Sequence, residues 1–335
     1  MPGRSSSFPF LRLLVSAACL AGCAGGPGAG GGRNRSAKVT EVSGVTLVDG
    51  ALCVVDDSVP NTYFRVRIPP GAGPLIALND YPIEAVQLPF GNWVDLESIA
   101  CLADGRIVVL SERLHGIVGE HGPVAEYDYP LTEFGRRGLE GLAVRRLADG
   151  SSRVAVLWEG GYPERGSMHP QLEESVGERP LRPVLFVHDV PAGADVGRVL
   201  WNEGLARALL EVPVPEGVEP QAQRFRAPDL AWYRWPPAER QAEEWGLLVL
   251  LSSQNGDTPR RFLHHWIQRF TIDGRRVGEP LDLGRVAPPA LAAANWEGIC
   301  WWEEGKSVVL VHEGDGDAPP HAFTCDLPAE WQYRP

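Results

Sequence analysis

"NWEGICWWEEGKSVVLVHEGD", residues 295–315, decides the fold. An acidic residue, Glu297, stands before a glycine and a short apolar run. A turn with Gly305 follows, then a second apolar run that ends in Glu313. The same grammar occurs in "DLESIACLADGRIVVLSER", residues 95–113, and in "GLEGLAVRRLADGSSRVAVLWEGG", residues 138–161. Asp-Gly between two apolar runs is a strong hairpin signal. Two looser copies begin at Val42, where Ser43 takes the acidic place, and at Pro228, where Asp229 takes it and the turn is longer.

The intervals between copies hold four strands each. From 229 to 297 these are "LAWYRW", "GLLVLLS", "HHWIQRFTI" and "RVGEPLDL". From 140 to 229 they are "LAVRRL", "RVAVLW", "PVLFVHDV" and a piece near "ARALLEVPV", with "YPERGSMHPQLEESVGERP" as an inserted surface loop. Repeats of four strands define a β-propeller. Five blades are counted, and the long interval has room for a sixth. A pair of β-sandwiches is the competing all-β fold, and it leaves the repeat unexplained.

In a propeller the first strand of each blade lines the central channel. A residue opening that strand lies at the channel mouth, and the hairpin returns the end of the second strand to the same pole. Glu97, Glu140, Asp229 and Glu297 are therefore expected to converge there. Asp56, Asp57, Glu112, Glu159 and Glu313 form an outer set, with Asp315 and Asp317. Like charges gathered this closely need a cation or take up protons. An all-oxygen set suits Ca²⁺ or Mg²⁺. Glu97, Glu140, Asp229, Glu297 and Glu313 are the expected metal ligands, and Glu97, Glu140 and Glu297 the expected catalytic groups. The same acids suit another task, hydrogen bonding to backbone N–H groups of the next blade.

The 335 residues carry a net charge of -12, which becomes -14 once Arg4 and Arg12 leave with a cleaved leader. Such a balance disfavours nucleic acid as a partner. The expectation is a monomer that takes a small-molecule or phosphoester ligand. Residues 1–22 read as a signal peptide, 23–38 as a Gly-rich tether and 39–335 as one propeller domain. "LAGC" at the end of the leader resembles the bacterial lipobox and implies acylation of Cys23. The implied location is the cell envelope, on the periplasmic side of the outer membrane in a Gram-negative cell, with lipid as the sole membrane contact. Cys53, Cys101, Cys300 and Cys325 are compatible with disulfides or buried thiols. Eight histidines form no HExxH, and no histidine is assignable as a base for Ser111, Ser252 or Ser253.

"NWEGICWW", "GLEGLAV", "DLESIA" and "APDLAWYRW" together resemble the phytase-like esterase domain family. The related family regulated by the quorum-sensing receptor of enteric bacteria has a similar Asp-Leu-Glu-Gly opening. The resemblance covers roughly residues 40 to 327. It implies a propeller, export, and hydrolysis of phosphoesters or carboxylesters. Ser43 and Ser98 depart from the family's acidic and glycine positions, and "LLSSQ" lacks its Glu-Arg ending. A non-catalytic propeller that binds a ligand or protein, with a structural cation, is the alternative.

Overall fold

The computed structural model describes residues 37–88, 94–128, 138–159, 183–195, 197–200, 206–212, 223–239, 243–255, 262–291, 294–314 and 319–333. Cys23, the inserted loop, Asp315 and Asp317 lie outside them. The described residues form a five-bladed β-propeller with one α-helical turn, Leu283–Val286, and a few three-residue 3-10 turns.

Each blade is an antiparallel meander. The first contains β1 (Val42–Val48), β2 (Ala51–Asp56) and β3 (Thr62–Val66). It skips β4 (Leu75–Ala77) and ends with β5 (Ile83–Gln87). The second is β6 (Leu96–Cys101), β7 (Ile107–Ser111), β8 (Gly116–Gly119) and β9 (Gly122–Asp128). The third is β10 (Leu139–Arg146), β11 (Ser152–Trp158) and β12 (Val184–Val190). After β13 (Gly197–Leu200) it is completed by β14 (Ala206–Leu209). The fourth is β15 (Gln223–Arg234), β16 (Trp245–Asn255), β17 (Phe262–Phe270) and β18 (Arg276–Asp282), matching the four strands read from sequence. The fifth is β19 (Trp296–Glu303), β20 (Ser307–His312) and β21 (His321–Asp326). Its outer strand is β4, lent by the first blade, which closes the ring without joining the chain ends. The third blade likewise lends β13, which runs parallel to β9 on the outer edge of the second.

Local chemistry sets these strands. At the first hairpin Asp49 and Gly50 have φ of 51° and 73°. Two positive values in succession match a tight primed turn, which suits the twist of paired strands. The second strands are apolar on both faces because each lies between two neighbouring blades. Five hydrophobic clusters fill the five interfaces between blades, so the core is a ring of wedges rather than one centre. Trp232 packs between the third and fourth blades, Trp235 and Trp301 between the fourth and fifth, and Trp302 between the fifth and first.

The repeated acid-then-small grammar has a geometric basis. Every inner strand carries a β-bulge at its start, and the extra residue is Ser43, Glu97, Glu140 or Glu297 in four of the blades. A bulge re-aims one side chain. The small residue that follows is where inner strands touch. A Cβ added to Gly44 would lie 2.5 Å from Ser98 Cα, and one at Gly141 3.0 Å from Asp229 Cα.

In the fourth blade the expected register is off by one. Arg226 faces Ser252 and Asp229 faces Leu250, so the residue filling the bulge is Pro228. Asp229 takes the place that glycine or serine holds elsewhere, and its carboxylate crosses the space those small residues leave. It accepts from Ile299 N at 2.9 Å, Ser98 Oγ at 3.2 Å and Leu142 N at 3.3 Å. Asp229 therefore pins the inner strands of three other blades. Replacing it by alanine strands two buried backbone N–H groups, at about 1–3 kcal/mol each. Asp229→Ala is expected to lower unfolding stability in urea by about 2–4 kcal/mol. An unchanged transition midpoint would remove Asp229 from this role.

Candidate functional site

The pole above Asp229 is built from two levels. At the upper level Glu41, Asp95, Gly138 and Asn295 precede the bulges. Their carbonyls accept from the N–H groups of Asp57, Glu112, Glu159 and Glu313 at the ends of the second strands. In the fourth blade the equivalent pair is Arg226 and Ser252. One level down lie the bulge residues Glu97, Glu140 and Glu297. Both acids of each hairpin thus reach one pole, as the repeat predicts.

Arg226 is the residue that sequence reasoning missed. Its guanidinium reaches the middle of this pole. Nε donates to Glu159 at 2.6 Å, Nη1 to Glu297 at 2.6 Å and to Asn295 Oδ1 at 3.3 Å, and Nη2 to Glu140 at 3.3 Å. Asn295 in turn donates to Glu297 and, at 2.7 Å, to Glu313. Burial alone lowers the pKa of Arg226, but Glu297, Glu159 and Glu140 carry it well above its ordinary value. Glu140 and Glu297 are therefore held by an internal cation, and Glu313 by an amide.

Glu97 is set apart. Only 8% of it is exposed, and it makes no hydrogen bond with a described residue. Its carboxylate lies with those of Asp95 and Glu112 in a group whose nearest oxygens are all within 4.8 Å of one another. Burial first, then the charges of Glu112 and Glu297, push its pKa well up. Asp95 has φ of 59°, an uncommon value for a residue with a side chain. Glu112 enters the cluster through the gap left by Gly138, where a Cβ would lie 2.1 Å from Glu112 Cγ.

A second acidic group, Glu41, Asp56 and Asp57, meets the same distance criterion. There, however, Asp56 is already engaged. Its oxygens accept from Thr40 N at 2.7 Å, Ser58 Oγ at 2.5 Å and Ser58 N at 3.2 Å, as in a locked turn. Burial, Glu41 and Asp56 raise Asp57 to about 7.

Of the expected ligands, the structure brings Glu97, Glu140, Glu297 and Glu313 to one pole and places Asp229 beneath it. Asp95 and Glu112 join Glu97 instead. Asp95 opens the quoted phrase "DLESIA", and its position one residue before Leu96 and the bulge is the signal that could have found it. A serine also has a histidine partner after all, because Ser252 Oγ lies 2.9 Å from His265 Nδ1. Both residues are 1% exposed, which closes the pair to a substrate. Burial lowers His265 to about 4, keeping it neutral. Cys53, Cys300 and Cys325 are buried free thiols, and Cys101 is a half-buried one.

Comparison with solved structures returns β-propellers. Streptogramin B lyase is 12% identical over 88% of this chain and 96% of its own, with a TM-score of 0.35. Regucalcin, a calcium-binding protein from Agrobacterium tumefaciens, is 8% identical over 89% and 94%, also at 0.35. YjhT is 9% identical over 88% and 97%, at 0.32. No family model matches the chain, and no curated protein matches it.

The raised carboxyls have a consequence for pH. Burial lifts Glu297 to about 7, against the pull of Arg226, and lifts Asp229 to about 8, against its hydrogen bonds. Glu97 and Glu140 move the same way. A carboxyl with a raised folded-state pKa binds its proton more tightly when folded. Its contribution is fully present below the unfolded value near ~4 and is lost as pH rises through the folded value. Without divalent cations the melting temperature is expected to fall between pH 5 and pH 8. Calorimetry showing a rise over that window would contradict this electrostatic picture.

Proposed function

We propose that Asp95, Glu97 and Glu112 hold a divalent cation, Ca²⁺ or Mg²⁺, and that the pole hydrolyses phosphoesters or related esters. One observation carries this reading. Glu97 is a buried carboxylate without a hydrogen bond from a described residue, aimed into a group of three acids, while the other bulge glutamates have Arg226. Three carboxylates fit a hard cation, which prefers oxygen ligands. When bound, such an ion polarises an ester oxygen and activates water.

The chain's own residues divide the work. Asp95, Glu97 and Glu112 position the ion's site. Arg226 keeps Glu140, Glu159 and Glu297 fixed and draws their negative charge inward, which lowers the repulsion an anionic ester meets. Glu140 and Glu297, buried and partly neutralised, are placed to hold or accept a proton at their carboxylate oxygens. The resemblance to phytase-like esterases supports the reaction class, and the lipobox supports acylation of Cys23 and a place at the cell envelope.

A second reading has its own observation. Arg226 already fills the centre of the pole, so the acids there have a stabilising task without any chemistry. The protein is then a ligand-binding propeller with a structural cation. A screen of generic phosphomonoesters, phosphodiesters and carboxylesters, with Ca²⁺ or with chelator, separates the two. Hydrolysis is expected with Ca²⁺, lost on chelation, and lost in Glu97→Gln along with about tenfold or more of cation affinity, since ligand charge sets such affinities. Tight cation binding without turnover on any ester class supports the second reading. Absence of cation binding overturns both.

A further inference from the structure

The strands β19, β20 and β21 place three polar rings in a row. Trp296 faces His312, and His312 faces His321, as directly opposed partners on neighbouring strands. Opposed partners project from the same side of a sheet, with Cβ atoms about 4.5–5.5 Å apart. That side turns to the fourth blade, because Trp296, Leu310 and Phe323 share a cluster with Leu248, Leu250 and Ile267. The row lies at the pole end of this wedge, since His312 ends β20 just before Glu313.

The row is unsatisfied. Trp296 Nε1, His312 Nε2 and His321 Nδ1 are buried and have no hydrogen-bond partner among the described residues. Buried polar atoms are nearly always bonded, so three together call for an occupant. His312 is 5% exposed, and its Nδ1 donates to the carbonyl of Glu313. A carbonyl only accepts, so the ring proton sits on Nδ1 and Nε2 carries a lone pair. A metal-binding histidine is oriented in this way, by a carbonyl or carboxylate on its other nitrogen. Burial lowers the pKa of His312, which keeps the ring neutral and that lone pair available. His321 stands beside it, with ring centroids 5.3 Å apart and planes 14° from parallel. Two imidazoles on one tetrahedral ion have centroids roughly 5 Å apart, given a metal–nitrogen bond of ~2.0–2.1 Å. Trp296 meets His312 edge-on, with centroids 5.6 Å apart. Its N–H is a donor only, so it suits a water on the ion rather than the ion itself.

We propose that His312 Nε2 and His321 Nδ1 bind a divalent transition-metal ion, Zn²⁺ first among them, with Trp296 Nε1 donating to a water that completes its coordination. A pair of imidazoles favours zinc, copper or nickel over Ca²⁺ or Mg²⁺. The site is separate from the acidic pole, whose grouped carboxylates include neither histidine. A single water is the competing occupant, because it would donate to both rings and accept from Trp296.

Equilibrium dialysis of the untagged protein against Zn²⁺, in excess Ca²⁺, tests the proposal. Wild type is expected to bind one Zn²⁺ that Ca²⁺ does not displace. His321→Ala, at a half-buried position, is expected to bind it about tenfold or more weakly, because even groups that only orient a metal ligand are worth about 10–100-fold. Glu97→Gln is expected to bind it as wild type does. No zinc binding, the result for a water site, overturns the proposal. So does unchanged binding in His321→Ala, or loss in Glu97→Gln. Should His321→Ala fail to fold, zinc-edge anomalous diffraction from wild-type crystals decides. A peak between the two rings supports the site, and a peak confined to the acidic pole or to a thiol, or none, overturns it.

Discussion

One guanidinium holds the acidic pole together. The blades turn glutamates toward a common axis, and Coulomb repulsion opposes that convergence. Arg226 answers it by bonding Glu140, Glu159 and Glu297 at once, from three hairpin positions in two blades. A buried pair of this kind is weak evidence of net stability, because desolvation offsets attraction. Its more important effect is to fix geometry. With the guanidinium in place, three acids are paired with it, while the carboxylates of Asp95, Glu97 and Glu112 lie together beside it. The division between a neutralised set and a set suited to a cation follows from that single side chain.

Asp229 works one level lower and by different means. It uses hydrogen bonds rather than charge pairing, and it reaches strands 70, 87 and 131 residues away in sequence. The small residues Gly44, Ser98, Gly141 and Gly298 leave the room it fills. The two acidic roles weighed from the sequence, cation ligand and backbone acceptor, are thereby separated. Asp229 is the backbone acceptor, and Glu97 the candidate ligand.

Much of the fold was legible because its signals are local. Asp-Gly turns, alternating strands and an acid-small phrase are each set by a few adjacent residues, and their recurrence revealed the blades. The loan of β4 and β13 to neighbouring blades was not legible, because three- and four-residue strands carry no pattern of their own. The site was half legible. Periodicity placed the glutamates at one pole, but the fourth copy was aligned on the wrong residue. Proline fills its bulge, and an acid stands where the other copies have a small residue, so matching acid to acid slipped the register by one. With Pro228 in the bulge, Arg226 falls in line with Asn295 and Asp95. A cation in line with acids is invisible to a search for repeated acids, and only three-dimensional convergence shows that it is their counter-charge.

The central claim is that Arg226 satisfies one group of acids and leaves another for a metal. Anomalous diffraction from crystals grown with Mn²⁺ locates the ion without reference to any activity. The account predicts a peak among Asp95, Glu97 and Glu112, with Arg226 still bonded to Glu140, Glu159 and Glu297. A peak between Glu140 and Glu297 with Arg226 displaced, or no peak at the pole, would contradict it.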